Sequence, residues 1–323
     1  MSYNEQQFLR APIIFVGPGR SGSTIVSEVL FAHEDLAWPT NYQEYFPSLS
    51  AVNLIRRLFD NPFWHVVGEK GQLNPTHFLN TLIPYPAEAY SFWDAITRPD
   101  IDFSRGFLLG ESATPEEQAL IRHTIARLIR WQGKPRFAMK TTGPGRIEYL
   151  KSIFPDACFV NVIRDPVATV HSLLNVSFWK DQGSRQLWWR GAYDEVEIDR
   201  FYSIKNDPIA CTAFQLAKVL ETTSQEAQQC NAQVLTIRYE DFVSYPRDIV
   251  KQICAFTDLK FSERLENKLQ KTAVHDRNKQ RRTFDKKAEK VILSYLNSSI
   301  SGSKMTGLTM SGLNVDVEEE VRS

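Results

Sequence analysis

The chain has 323 residues, 42% hydrophobic and 24% charged, the composition of a soluble globular protein able to bury a core. Its 38 Lys+Arg and 38 Asp+Glu cancel, so nothing global argues for nucleic acid, and any anion site must be assembled locally. No apolar run approaches the roughly 20 residues of a membrane span. Residues 1–10 are polar, and Pro12–Val16 is too short for a signal segment. A cytoplasmic protein without integral membrane contact is therefore expected.

Pro12–Val16 is a short continuous apolar run, as in a strand buried on both faces. It ends at Gly17-Pro-Gly-Arg-Ser-Gly-Ser-Thr24, after which Ile25, Val26, Val29 and Leu30 recur at helical spacing. From about residue 37 to 135 aromatics and prolines crowd together, which predicts an insertion of loops and short helices. Within it, Thr114-Pro-Glu-Glu117 predicts a capped helix with Leu120, Ile121, Ile125, Leu128 and Ile129 on its apolar face.

The βα rhythm then resumes. Phe137–Met139, Cys158–Ile163 and Val234–Ile237 read as strands, and helices are predicted at about 146–153, from Asp165-Pro166 to Leu174, and over Pro246–Phe256. This alternation predicts an α/β, P-loop-like three-layer fold with a mostly parallel central sheet and a helical acceptor-side insertion. One domain over 1–296 and a flexible tail over 297–323 are expected. The segment 271–290 carries eight Lys/Arg against three Asp/Glu.

Cys158, Cys211, Cys230 and Cys254 form no C-x-x-C pair and read as small buried hydrophobes. The six histidines make no metal ladder, so no metal is expected.

Gly17-x-x-x-x-Gly22-Ser23-Thr24 has the glycine spacing of a phosphate-binding loop between strand and helix, where free backbone N–H groups and the positive helix end hold an anion. A nucleoside-triphosphate loop carries Lys directly after the second glycine. Here that position is Ser23, and the cation comes earlier, at Arg20.

In this form the loop resembles the 5′-phosphosulfate-binding loop of sulfotransferases that use 3′-phosphoadenosine 5′-phosphosulfate (PAPS). It is closer to the carbohydrate, tyrosyl-protein and bacterial members than to the cytosolic aryl ones. The resemblance implies that Arg20 stabilises the bridging oxygen of the leaving phosphate, while Gly19, Ser21, Gly22, Ser23 and Thr24 hold the 5′-phosphate. Phe159-Val-Asn-Val-Ile-Arg-Asp-Pro166, continuing to Ser172, resembles the 3′-phosphate segment and implies that Arg164 and Ser172 bind there. Arg238-Tyr-Glu-Asp-Phe-Val-Ser-Tyr-Pro246 resembles a third family segment, which would put Tyr239 by the adenine. The basic run, with Arg277, Arg281 and Arg282, occupies the place of a cationic loop over the 3′-phosphate. PAPS is then the co-substrate, 3′-phosphoadenosine 5′-phosphate (PAP) the product, and no metal is required.

Sulfuryl transfer to an alcohol needs cations for the leaving phosphate, Arg20 and Lys140, and a base for the hydroxyl proton. Cytosolic members carry a His in a K-[ST]-H segment, whereas Lys140-Thr141-Thr142 has Thr there. The resemblance to glutamate-using members implies Glu44, in Asn41-Tyr-Gln-Glu-Tyr-Phe46. Glu34, Asp35 and Glu69 are weaker candidates, and His171 and His275 suit cofactor binding or packing. A sugar, an acyl chain or a phenol would suit the aromatic-rich region. A glycan or glycolipid hydroxyl is favoured over other small molecules because the base is of the glutamate type. The alternatives are a P-loop small-molecule kinase, opposed by Ser23, and a non-catalytic nucleotide-binding protein, opposed by the intact Arg20, Arg164 and Ser172.

Overall fold

The computed structural model describes residues 9–60, 83–272, 274, 276, 278 and 284–302. Strands β1 (Ile13–Val16), β2 (Leu36–Ala37), β3 (Arg136–Lys140), β4 (Cys158–Ile163) and β5 (Gln233–Arg238) form one sheet. Their order is β2–β3–β1–β4–β5, and every pairing is parallel. The continuous apolar run of the first strand is explained by its place, because β1 is central, flanked on both edges and covered on both faces.

Successive residues of β1 face opposite layers. Ile14 and Val16 join Phe137, Met139 and Phe159 in a core closed by helices Tyr90–Ile96, Pro115–Gln132 and Ile147–Ile153. Ile13 and Phe15 join Val160 and Val162 beneath helices Ser23–Leu30 and Pro246–Phe256. The expected three layers are thus present, with a parallel sheet in the middle. A further cluster packs helix Pro208–Gln229 against helix Lys286–Gly302 through Ala213, Leu216, Ile292 and Leu296.

Local signals hold at several helix starts. Thr114 Oγ1 accepts from the Glu117 backbone N at 3.2 Å, and Glu117 Oε2 accepts from the Thr114 backbone N at 3.3 Å, completing the capping box. Asp165 Oδ1 accepts from the Ala168 N at 2.7 Å, with Pro166 opening helix Pro166–Leu174. One expectation needs correcting: Leu120, assigned to the apolar face of helix Pro115–Gln132, is 52% exposed. The helix buries Ile121, Ile125, Leu128 and Ile129 against the sheet and turns Leu120 outward.

The region after residue 37 contains short helices, Asn41–Tyr45, Ile55–Phe59 and Tyr90–Ile96. Its aromatics divide. Trp38, Phe92, Trp93, Phe103 and Phe107 are core residues, whereas Tyr45 and Phe46 are exposed. Among the described residues no helix is long and apolar enough to cross a membrane. All four cysteines are free, three of them buried.

Candidate active site

A parallel sheet places the carboxyl ends of all its strands on one edge. After β1 the chain builds β2 and β3 on one side of it and then crosses over to β4 and β5 on the other, and at such a switch point a parallel sheet offers a crevice for ligands at that edge. Four segments meet there: residues 17–22 after β1, Lys140–Thr142 after β3, Arg164–Asp165 after β4 and Tyr239 after β5.

The first segment needs its glycines. Gly17 has φ +145°, and a Cβ on it would lie 2.4 Å from the Val162 carbonyl oxygen. Gly22 has φ +90°, and a Cβ there would lie 2.3 Å from Cδ2 of Tyr239. Arg20 is held in the left-handed region at φ +70°, a conformation an arginine adopts only under constraint. Helix Ser23–Leu30 then begins with no side chain capping it, so its first N–H groups face the crevice. The Ser21 Oγ is buried beside them without a hydrogen-bond partner.

Extending β3, the Thr141 N donates to the Phe15 O (2.9 Å) and the Gly143 N to the Gly17 O (3.0 Å), fastening the two loops together. The buried Lys140 Nζ donates to Thr24 Oγ1 at 3.0 Å and pairs with Glu88 Oε1 at 2.7 Å. Thr142 Oγ1 also donates to that Glu88 oxygen. Burial pushes the Glu88 pKa up, but Lys140, with hydrogen bonds from Lys140, Thr142 and Tyr90, outweighs it and leaves the pKa below the ordinary value. Beneath this turn the fully buried Arg146 donates to Thr141 Oγ1 (2.8 Å) and to the carbonyls of Pro144, Gly106 and Ser104 (2.9, 3.1 and 3.1 Å).

On the other side of β1 the cations converge. The Arg20 Nε donates to Ser172 Oγ at 3.0 Å, and the Arg164 Nη1 donates to the Arg20 carbonyl at 3.2 Å. The Arg164 guanidinium also lies 4.9 Å over the Tyr239 ring. Its Nε donates to Asn278 Oδ1 at 2.7 Å. The Asn278 Nδ2 and the Asp165 N both donate to Glu240 Oε1, at 2.7 and 2.8 Å. Glu240 thus ties the basic C-terminal segment to the end of β4.

The residues expected from the sequence therefore meet in large part. Gly19, Arg20, Ser21, Gly22, Ser23, Thr24, Lys140, Arg164, Ser172 and Tyr239 share one edge. The Arg20 guanidinium reaches toward Ser172, and the buried Tyr239 ring backs Gly22. Glu44 accepts from Ser91 Oγ at 2.6 Å and from the Ser91 N at 3.2 Å, in the first turn of helix Tyr90–Ile96. His171 packs edge-on against Phe284 at 5.1 Å, and burial, then Arg164, lowers its pKa. Glu34 and Asp35 stand before β2, on the opposite edge of the sheet, where the Asp35 carbonyl accepts from Arg136 N at 3.1 Å. Arg277, Arg281, Arg282, Glu69 and His275 lie outside the described residues.

Sequence reasoning missed Glu88, Arg146 and Asn278. No motif marks them, because each acts through a tertiary contact. Among the described residues no group of three or more His, Cys, Asp or Glu is arranged to hold a metal ion.

Comparison with known proteins agrees with this architecture. The crystal structure of sulfotransferase STF9 from Mycobacterium avium is similar at a TM-score of 0.52 and 15% identity, covering 90% of this chain and 77% of that one. The omega-hydroxy-beta-dihydromenaquinone-9 sulfotransferases Stf3 of Mycobacterium bovis and Mycobacterium tuberculosis are each 22% identical over 201 residues, 57% of this chain. The matched region spans 50% of the length of those relatives. The profile described as "Sulfotransferase family" matches residues 12–263, so the chain belongs to the sulfotransferase family.

Proposed function

We propose that the protein transfers a sulfuryl group from PAPS to a hydroxyl of its acceptor. The observation that carries this reading is the joining of Arg20, after β1, with Arg164 and Ser172, after the neighbouring β4, in one hydrogen-bonded group beside an uncapped helix start. The residues present fit such an anion, since Ser21 Oγ is buried without a partner and Lys140 stands at Thr24. When bound, PAPS supplies the sulfuryl group: the acceptor oxygen bonds to sulfur as the bond from sulfur to the 5′-phosphate oxygen breaks, leaving PAP.

The backbone and hydroxyls of Ser21–Thr24, with the helix start, bind the 5′-phosphate. Arg164 and Ser172 bind the 3′-phosphate, and Tyr239 borders the adenosine between the two ends. Arg20 and Lys140 stabilise the charge that develops on the leaving phosphate. Glu44 takes the hydroxyl proton, reached from the side where the exposed Tyr45 and Phe46 offer apolar surface. The acceptor is a small molecule or a lipid, and a glycan or glycolipid hydroxyl fits the glutamate-type base. The curated relatives, named for a hydroxylated dihydromenaquinone, keep other lipid hydroxyls within reach.

The test is transfer of labelled sulfate from PAPS to panels of glycans, glycolipids, quinols and phenols, with mass spectrometry for the gain of one sulfate. Glu44→Gln is expected to lose most turnover while PAP still raises the melting temperature. An active Glu44→Gln enzyme removes Glu44 as the base, and absence of PAP binding to the native protein removes the whole reading.

A further inference from the structure

Glu88 stands where two halves of the site join. Residues 85–87 are fastened to residues 39–41 by the Ala87 N donating to the Pro39 O (2.9 Å), the Asn41 N to the Tyr85 O (3.0 Å) and the Tyr85 N to Asn41 Oδ1 (3.0 Å). The next helix begins after Ala89, which sits at φ +52° and sets the turn. Glu88 is therefore carried on the same short structure as Glu44, which caps the following helix through Ser91. From there its carboxylate reaches across to the ammonium of Lys140, which in turn touches the phosphate loop at Thr24.

A lysine ammonium is a point charge on a four-carbon stem with three rotatable donors, and nothing in its own covalent structure fixes where it points. Glu88 fixes it. One carboxylate oxygen takes both the Lys140 ammonium and the Thr142 hydroxyl. Thr142 is itself held by Tyr90, whose OH accepts from the Thr142 N at 3.3 Å and shares its one proton between the Thr142 O, at 3.2 Å, and Glu88. Every link in this chain is polar and partly buried, with the Lys140 and Glu88 side chains 10% and 22% exposed.

We propose that Glu88 is a positioning residue for Lys140, orienting the ammonium for the leaving group and competing with the anionic donor for it. This rests on the sulfuryl-transfer reading above. A carboxylate beside a bisphosphate site opposes donor binding by like charge, while the orientation it imposes favours the chemical step. Binding and turnover therefore move in opposite directions when it is neutralised. A residue that merely supports the fold would weaken both.

The experiment is a double-mutant cycle. Glu88→Gln is expected to bind PAP more tightly, by about fivefold in calorimetric titration. Its kcat is expected to fall roughly tenfold or more, with a smaller change in KM for PAPS. In the Lys140→Met background the same substitution is expected to change kcat little, because the residue through which Glu88 acts is gone. Thr142→Val, which keeps Glu88 but removes the hydroxyl that pins it, is expected to show a smaller kcat loss that also vanishes in Lys140→Met. This variant supplies the answer if Glu88→Gln does not fold. The proposal is overturned if Glu88→Gln weakens PAP binding, leaves kcat unchanged, or costs as much in Lys140→Met as in the native protein. Each of these requires that the native protein bind PAP, so failure of the underlying reading is read separately.

Discussion

The Nε of Arg20 donates to the Oγ of Ser172 at 3.0 Å, joining residues 152 positions apart in the chain. The loop after β1 and the helix after β4 are thereby held as one wall of the crevice, with Arg164 closing it through the Arg20 carbonyl. In the proposed reading a bisphosphorylated ligand would meet Arg164 and Ser172 at its 3′ end and Arg20 at its 5′ end. Hydrogen bonds to charged groups contribute about 1.5–3 kcal/mol each.

Arg164→Ala is accordingly expected to weaken PAP binding by roughly tenfold to a hundredfold, and Ser172→Ala by less, about tenfold at most. Titration of each variant with PAP and with adenosine 5′-phosphate checks the assignment. The loss should be confined to PAP, because only PAP carries the 3′-phosphate. Equal losses for both nucleotides would place Arg164 somewhere other than the 3′ end.

Gly22→Ala addresses the loop itself. The added methyl group meets the Tyr239 ring at 2.3 Å, and φ +90° is strained for any L side chain. Two costs of different origin should therefore add, on the order of 1–3 kcal/mol for the backbone alone. Gly22→Ala is expected to lower thermal stability and to abolish PAP protection. Gly22→Ala/Tyr239→Ala relieves the clash but not the dihedral, so it should recover part of the stability. Full recovery would mean that the ring contact is the whole cost.

How far the sequence could be read follows from the range of each interaction. Local chemistry was legible: Thr114 with Glu117, Asp165 with Pro166, and the glycines of residues 17–22 act within a few residues of themselves. Four of the five strands were legible because buried parallel strands are largely apolar runs, as Ile13–Val16 is and as Cys158–Ile163 is apart from Asn161, whereas β2, two residues long, carries no such run. Helix Pro208–Gln229 carries the same Asp-Pro start as helix Pro166–Leu174, with Asp207 Oδ1 accepting from the Ile209 N (3.0 Å) and the Ala210 N (3.1 Å), and that signal was there to be used. Glu88 and Asn278 were not legible. Their roles depend on Lys140 and Arg164, 52 and 114 positions away, and no spacing rule spans such distances. Leu120 misled for a related reason, since helical spacing alone does not tell which edge of an apolar stripe meets the sheet.

The capping box on helix Pro115–Gln132 separates a local effect from a buried network. Thr114→Ala removes one cap and is expected to cost about 1 kcal/mol without changing turnover. Glu117 does more: beyond the cap, its Oε1 accepts from the Arg98 N and the Tyr149 OH, both at 2.8 Å, and its Oε2 pairs with Arg98 Nη1 at 3.2 Å. Glu117→Ala leaves the buried Tyr149 hydroxyl without that acceptor and should cost about 3 kcal/mol or more. Urea unfolding of the two variants gives the comparison, and equal midpoints would show that the network beyond the cap adds nothing.

Glu226 makes the fold itself sensitive to pH. Its side chain is fully buried on helix Pro208–Gln229, its Oε1 accepts from the Glu148 N at 3.4 Å at the start of helix Ile147–Ile153, and its Oε2 has no hydrogen-bond partner. Burial pushes its pKa from the ordinary 4.5 up to about 8, against the pull of the Glu148 and Ile147 backbone and of Arg146. Between these values the folded protein holds a proton that the unfolded chain has released, so stability is full below about 4.5 and is lost as pH rises through about 8. At its steepest the loss is roughly 1.4 kcal/mol per pH unit. Glu226→Gln keeps an acceptor for the helix start and carries no charge at any pH. Its new amide can donate to Thr223 Oγ1, which is buried without a partner one turn away on the same helix face. The variant should match the native protein near pH 4.5, exceed its stability progressively toward pH 8, and show a flatter profile of unfolding free energy across that range. A native profile that already stays flat between pH 5 and 8 would mean that Glu226 is ionised in the folded protein, with Arg146 outweighing its burial.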